Sequence, residues 1–153
     1  MLKKSPRPGE DALETSATSD LVGYRLRRAQ LSVFQRFLMF FEKMGLRPAE
    51  YSVLVLVADN PGRKQTAIAE VLGIKRANFV TLVHGLEERG LVERRPAAGD
   101  NRANALHLSR SGKLFVSRAR SLHEAMEREL LDKLGGPAAR DTLISLLDRL
   151  LIT

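Results

Sequence analysis

Cysteine is absent from the 153 residues, which excludes disulfides, thiolate metal sites and thiol redox switches. Tryptophan is absent too, and with two tyrosines and six phenylalanines the aromatic content is 5%. No apolar run reaches the roughly 18 residues that a membrane span needs. The opening stretch MLKKSPRPGEDALETSATSD has two lysines near its start but no apolar segment, so no secretory signal is expected and a cytoplasmic protein follows. Catalytic signatures are equally scarce. His84, His107 and His123 fall on three separate segments, and neither a carboxylate pair nor a Gly-rich phosphate loop occurs. No enzyme activity, metal or cofactor is therefore expected.

What is present is enough for a core: 44% of residues are hydrophobic, which argues against wholesale disorder. The length fits one domain, or one module built into a larger dimeric scaffold. A net charge of +7 and a pI of about 10.2 favour an anionic partner. The first 20 residues hold three basic and four acidic groups, so the excess lies further along. Residues 63–102 hold eight basic against five acidic groups. That bias is moderate and fits simple solubility as well.

The chain is organised around Lys64 to Arg95. A first helical pattern places Ala67, Ile68, Val71 and Leu72 on one apolar stripe, and Gly73 closes it. A second places Phe79, Leu82, Val83 and Leu86 inward, leaving Lys75, Arg76, Asn78, Thr81 and His84 on its first turn and outer face. Two helices so joined form a helix-turn-helix whose second helix suits a DNA major groove. A helical hairpin in an all-α core is the plainer alternative.

Around this motif the chain reads in order. Residues 1–19 resemble a flexible arm carrying Lys3, Lys4 and Arg7. Asp20 is the expected N-cap of a helix ending near Gly45, with Leu21, Tyr24, Leu31, Phe34, Phe37, Leu38, Phe41 and Met44 on its apolar face. About 25 residues of helix run nearly 38 Å at 1.5 Å each, more than a small lobe covers. Part of that face should meet a second subunit. Pro48 opens an apolar helix over Ala49 to Asp59. After the motif, Leu91–Arg95 and Ala105–Leu108 read as strands joined by a polar turn, a wing with Arg102 at its tip. Ser109 caps a long helix to about Leu134, Gly135-Gly136-Pro137 stops it, and a last apolar helix spans Ala138 to Leu151.

Across residues 20–151 the chain resembles the MarR family of winged-helix transcriptional regulators. The resemblance is carried by Pro48-Ala49-Glu50-Tyr51-Ser52-Val53-Leu54, Gln65-Thr66-Ala67-Ile68-Ala69, Leu86-Glu87-Glu88-Arg89-Gly90-Leu91-Val92-Glu93-Arg94, Asp100-Asn101-Arg102 and Leu106-His107-Leu108-Ser109-Arg110-Ser111-Gly112. It implies a mostly α (α+β) fold: a winged helix-turn-helix over 48–108 and a helical dimerisation region from 20–47 and 109–153. It also implies a homodimer on a near-palindromic double-stranded operator and, in many members, a small aromatic or anionic effector. The chain departs from the family where Thr81 replaces a frequent basic residue and where Lys75 and Ala77 replace common Ser or Thr. At the wing, Asn101 stands where a second arginine is frequent.

Candidate DNA contacts follow from residue chemistry. Lys75, Arg76, Asn78 and Thr81 face base edges or nearby phosphates, since Arg and Lys match guanine and Asn matches adenine. Lys64, Gln65 and Thr66 suit phosphates at a helix start. Arg102, restrained by Asp100, is the minor-groove candidate that the family position supports. Arg94 and Arg95 point to opposite strand faces, so one of them meets the backbone more easily, and His84 stands near a phosphate or in solvent. Tyr24, Arg25, Arg28, Phe37, Phe41 and Tyr51 are the candidates for an effector pocket, although aromatic stripes at helical spacing are ordinarily core. The leading expectation is a ligand-released repressor. The alternatives are a DNA binder without an effector and a winged module for protein contact.

Overall fold

A computed structural model describes residues 15–151, with the backbone alone at 100–102. Lys3, Lys4 and Arg7 of the expected arm lie outside the described residues. The chain divides into two compact units, residues 1–35 and 36–153, with the division inside one helix.

In the first unit, Ser16–Ser19 forms one helical turn, α1. Asp20 ends this turn instead of capping the next helix, which corrects the expected N-cap; the long helix α2 runs Val22–Phe41. Leu21, Leu31 and Phe34 are exposed. In the second unit, α2 ends at Phe41 and the chain tightens into a 3₁₀ turn, Glu42–Met44, closed by Gly45. The single helix expected to reach Gly45 thus changes character in its last turn, a common way for a helix to finish.

The helix α3 spans Pro48–Asp59, with Pro48 in the first turn and the Glu50 carboxylate accepting the Arg47 N–H at 2.8 Å. A two-residue strand, β1 (Arg63–Lys64), precedes α4 (Gln65–Val71). In α4, Ile68 and Ala69 are buried whereas Val71 is 74% exposed, so Ala69 replaces Val71 on the inward stripe. The turn to α5 (Arg76–Glu88) closes with Gly73 N–H to Glu70 O at 3.0 Å and Ile74 N–H to Ala69 O at 2.9 Å. This paired closure needs a left-handed residue, and Gly73 has φ +62°.

The strands β2 (Val92–Ala97) and β3 (Asp100–Leu108) form the wing, and β1 adds to the other edge of β3, giving the antiparallel order β1-β3-β2. Helix α6 (Arg110–Leu134) starts as expected at Ser109, whose Oγ accepts the Gly112 N–H at 2.9 Å. Ser109 and Ser111 hydroxyls both donate to the Gly90 carbonyl, at 2.6 and 2.7 Å, fastening α6 to the loop that follows α5. Helix α7 spans Pro137–Leu151 and has no buried residue. The core of this unit gathers Phe37, Phe41, Leu54, Phe79, Leu86, Leu106 and Met126. No helix among the described residues is long and apolar enough to cross a membrane.

Candidate nucleic-acid interface

Helix α5 is held from beneath. Phe79, Val83 and Leu86 are almost fully buried, and their 3.6-residue spacing turns the opposite face to solvent. Lys75, at the N-cap, and Arg76, Asn78, Thr81 and His84 are all exposed. The outermost line of the helix, however, runs through Ala77, Thr81 and His84, with Arg76 and Asn78 on its flanks. Ala77 and Val80 are exposed on this face, apolar positions that are not among the sequence-based DNA contacts. Their signal was present: both fall off the inward stripe. Apolar side chains so placed match thymine methyl groups. The Thr81 hydroxyl donates to the Ala77 carbonyl at 3.2 Å, and His84 Nε2 lies 3.6 Å from Glu88 Oε1 on an exposed surface.

The two wing arginines separate cleanly. Arg94 turns under α5: its Nη1 meets Glu87 Oε2 at 2.6 Å, and weaker bonds of 3.4 Å reach Gln65 Oε1 and the Val80 carbonyl. Arg95 points the other way, its side chain 56% exposed and paired with Glu93 at 2.7 Å. Of the two, Arg95 is the one open to solvent. Gln65 is half-buried toward Arg94, while Thr66 is exposed beside Lys64. Arg63 on β1, absent from the sequence-based candidates, joins Lys64 and Thr66 along a recess of about 370 Å³ facing Ala97 and Ala98 of the wing. The side chains of Asp100 and Arg102 lie outside the described residues.

The six effector candidates fall on both units. Tyr24 is half-exposed, and Arg25 and Arg28 are exposed; the Arg25 Nε bonds to the Ser19 carbonyl. In the second unit Phe37 and Phe41 are buried and stacked at 4.1 Å, with Tyr51 against both. Tyr51 also stacks on His123 at 4.6 Å. Phe37 and Phe41 are core, as their helical spacing allowed, and Tyr51 packs half-buried against them from α3. Burial pushes the Tyr51 hydroxyl above its ordinary value, and the nearby Arg120 only partly opposes it. Arg120 is itself held more firmly protonated by its hydrogen bond to Asp59. Among the described residues, no group of three or more His, Asp or Glu could hold a metal.

A three-helix lobe with a hairpin beside an outward-faced second helix defines the winged helix-turn-helix class. Residues 44–103 match the MarR family model. A candidate transcriptional regulatory protein for the hcr operon of Thauera aromatica is 33% identical over 130 residues, spanning 84% of this chain and 78% of that protein. The transcriptional repressor CouR, solved on a 23-mer DNA duplex, superposes with a TM-score of 0.86 at 41% identity, covering 92% of this chain and 99% of that one. CouR bound to p-coumaroyl-CoA matches with a TM-score of 0.80 at 40% identity, over 92% and 98%. The chain belongs to the MarR family of transcriptional regulators.

Proposed function

We propose that the chain is a homodimeric, sequence-specific DNA-binding repressor that a small aromatic or anionic ligand releases from a near-palindromic operator. It works by binding rather than catalysis, in the cytoplasm. The observation that carries this reading is α5: an apolar side locked into the core, and Lys75, Arg76, Asn78 and Thr81 presented outward beside a basic wing. Lys64, Thr66 and Arg95 stand where phosphates flank such a helix, and Ala77 and Val80 add apolar readout. Residues 48–108 form the reading lobe, and 20–47 with 109–153 join the two copies. The exposed apolar residues of α7, Leu143, Ile144, Leu146 and Leu150, support that division. The repressor CouR, of similar fold and 41% identity, has been solved on DNA and with an acyl-CoA thioester, which supports both halves of the reading.

The test is a titration of the dimer against its own upstream DNA at several salt concentrations. Log K should fall with log salt at roughly −0.9 per phosphate contact. Arg76→Ala should flatten the preference between operator and scrambled duplex by about 1–3 kcal/mol. A uniform loss across both duplexes would make Arg76 a phosphate contact. No salt dependence at all would remove DNA from the reading.

A further inference from the structure

Arg89 lies within the Leu86–Arg94 stretch that carries the family resemblance, yet it has no part in the nucleic-acid face described above. It is the C-cap of α5, at the opposite end of that helix from Lys75 and Arg76. Its side chain meets three other elements. Nη2 donates to the Met44 carbonyl at 3.0 Å and Nη1 to the Gly45 carbonyl at 3.2 Å, at the end of the 3₁₀ turn that follows α2. Nη1 also stands 3.6 Å from Glu50 Oε2 in the first turn of α3. The guanidinium carbon lies 5.3 Å from the centre of the Phe115 ring on α6.

Both carbonyls belong to a helix end and have no partner within it, so a planar fork can satisfy the two together where a single ammonium cannot. At 33% exposure the side chain is partly enclosed, and such bonds hold better there than on an open surface. The burial of Phe79, Val83 and Leu86 decides which side of α5 faces inward, but burial is non-directional and does not by itself fix the tilt of the helix. Directional bonds at its C-terminal end do. Arg94 ties α5 to the wing through Glu87, and Arg89 ties it to the corner between α2 and α3. Asn78 precedes Arg89 by roughly 16 Å of helix axis at 1.5 Å per residue. A tilt of about 5° at Arg89 carries Asn78 sideways by roughly 1.5 Å, enough to take a hydrogen bond of about 2.9 Å out of range.

We propose that Arg89 is a positioning residue for DNA reading: its fork on two carbonyls holds α5 at the angle to the α2–α3 corner that base contact needs, without itself touching DNA. The inference rests on the repressor reading for its effect on DNA, while the hold on α5 is tested apart from it. A cation at this helix end also complements the helix dipole, but lysine would do that equally. Only the fork requires arginine.

The experiment compares the full-length dimer with Arg89→Ala and Arg89→Lys, each at a temperature where melts show it folded. Affinity for the operator and for a scrambled duplex is measured by fluorescence anisotropy at several salt concentrations. Arg89→Ala should lose about tenfold or more on the operator and less than about threefold on the scrambled duplex, since phosphate contacts tolerate a small tilt that base contacts do not. Its slope of log K against log salt should equal the parent's; a slope shallower by about one makes Arg89 a phosphate contact and overturns the proposal. Equal losses on both duplexes reflect lost folded protein alone and overturn it too. Arg89→Lys keeps the charge and at most one of the two bonds, so it should show the same split in milder form, and it serves alone if the alanine variant does not fold. Lysine that matches the parent on both duplexes overturns the fork.

The chain has no cysteine, so Asn78→Cys places a single spin label on each subunit, and the distance between the two labels is read without DNA by pulsed electron resonance. Its distribution should be broader with Arg89→Ala or Arg89→Lys than in the parent. An unchanged distribution overturns the hold on α5, whatever the DNA results. A parent that treats both duplexes alike, while the distribution broadens in the variants, counts against the repressor reading and leaves the fork standing.

Discussion

Arg94 illustrates how one guanidinium is withdrawn from a surface that its sequence neighbours share. Its bond to Glu87 joins β2 to α5, and both side chains are about three-quarters buried, at 24% and 25% exposure. Arg94→Ala leaves Glu87 half-enclosed without its partner, which should cost about 2 kcal/mol and be seen as a lowered Tm. Arg95→Ala should leave the unfolding free energy within about 0.5 kcal/mol of the parent, since its pair is exposed. Tyr51 carries a pH signature. Its burial favours the neutral phenol in the fold, so the unfolded chain loses this proton first. The stability this contributes is complete below about pH 10 and declines as pH rises through the elevated folded value. Thermal melts between about pH 8 and 11 should show a decline that Tyr51→Phe reduces; identical slopes would mean the hydroxyl is solvated in the fold.

At the scale of elements, the start of α6 lies directly against the loop that follows α5. A Cβ at Gly112 would stand 2.0 Å from the Leu91 carbonyl oxygen, backbone that cannot step aside. Gly112→Ala should therefore cost at least about 1–3 kcal/mol and shift the approach of α6 to β2. A melting temperature unchanged by that substitution would show the joint to be loose. Elements with their own punctuation were legible in the sequence. Pro48, Gly73, Ser109 and Gly135 mark helix limits through caps that act within a few residues. The β1 strand was not legible, because Arg63–Lys64 has no local strand pattern; it exists through pairing with Leu106 and Ala105. The inward place of Ala69 and the outward place of Val71 escaped for a related reason. A helix of only seven residues is oriented by what it packs against more than by its own periodicity.

For the whole molecule, the unsatisfied surface is at α7 and along α2. Leu146 and Leu150 are 51% and 58% exposed in the single chain. Replacing both with lysine should convert the dimer to monomer by light scattering, with helical content retained. Operator affinity should then drop by about a hundredfold, because two lobes no longer bind as one. A double variant that stays dimeric would move the subunit interface elsewhere. The expectation of an interface on these helices rests on the same reasoning: more apolar helix is encoded than one lobe can cover.

By itself, the sequence determined the helix limits marked by Pro48, Gly73, Ser109 and Gly135 and the polar outer face of α5, since capping and amphipathic spacing are decided among residues at most about one turn apart. Tertiary structure alone decided which arginine the wing exposes, and it drew Arg95, His107, Lys113 and Arg120 around one cleft. Those residues come from a strand, its partner strand and a helix, and only the pairing of β2 with β3 and the docking of α6 bring them together. Such placement is set by long-range packing, on which local propensity has no hold.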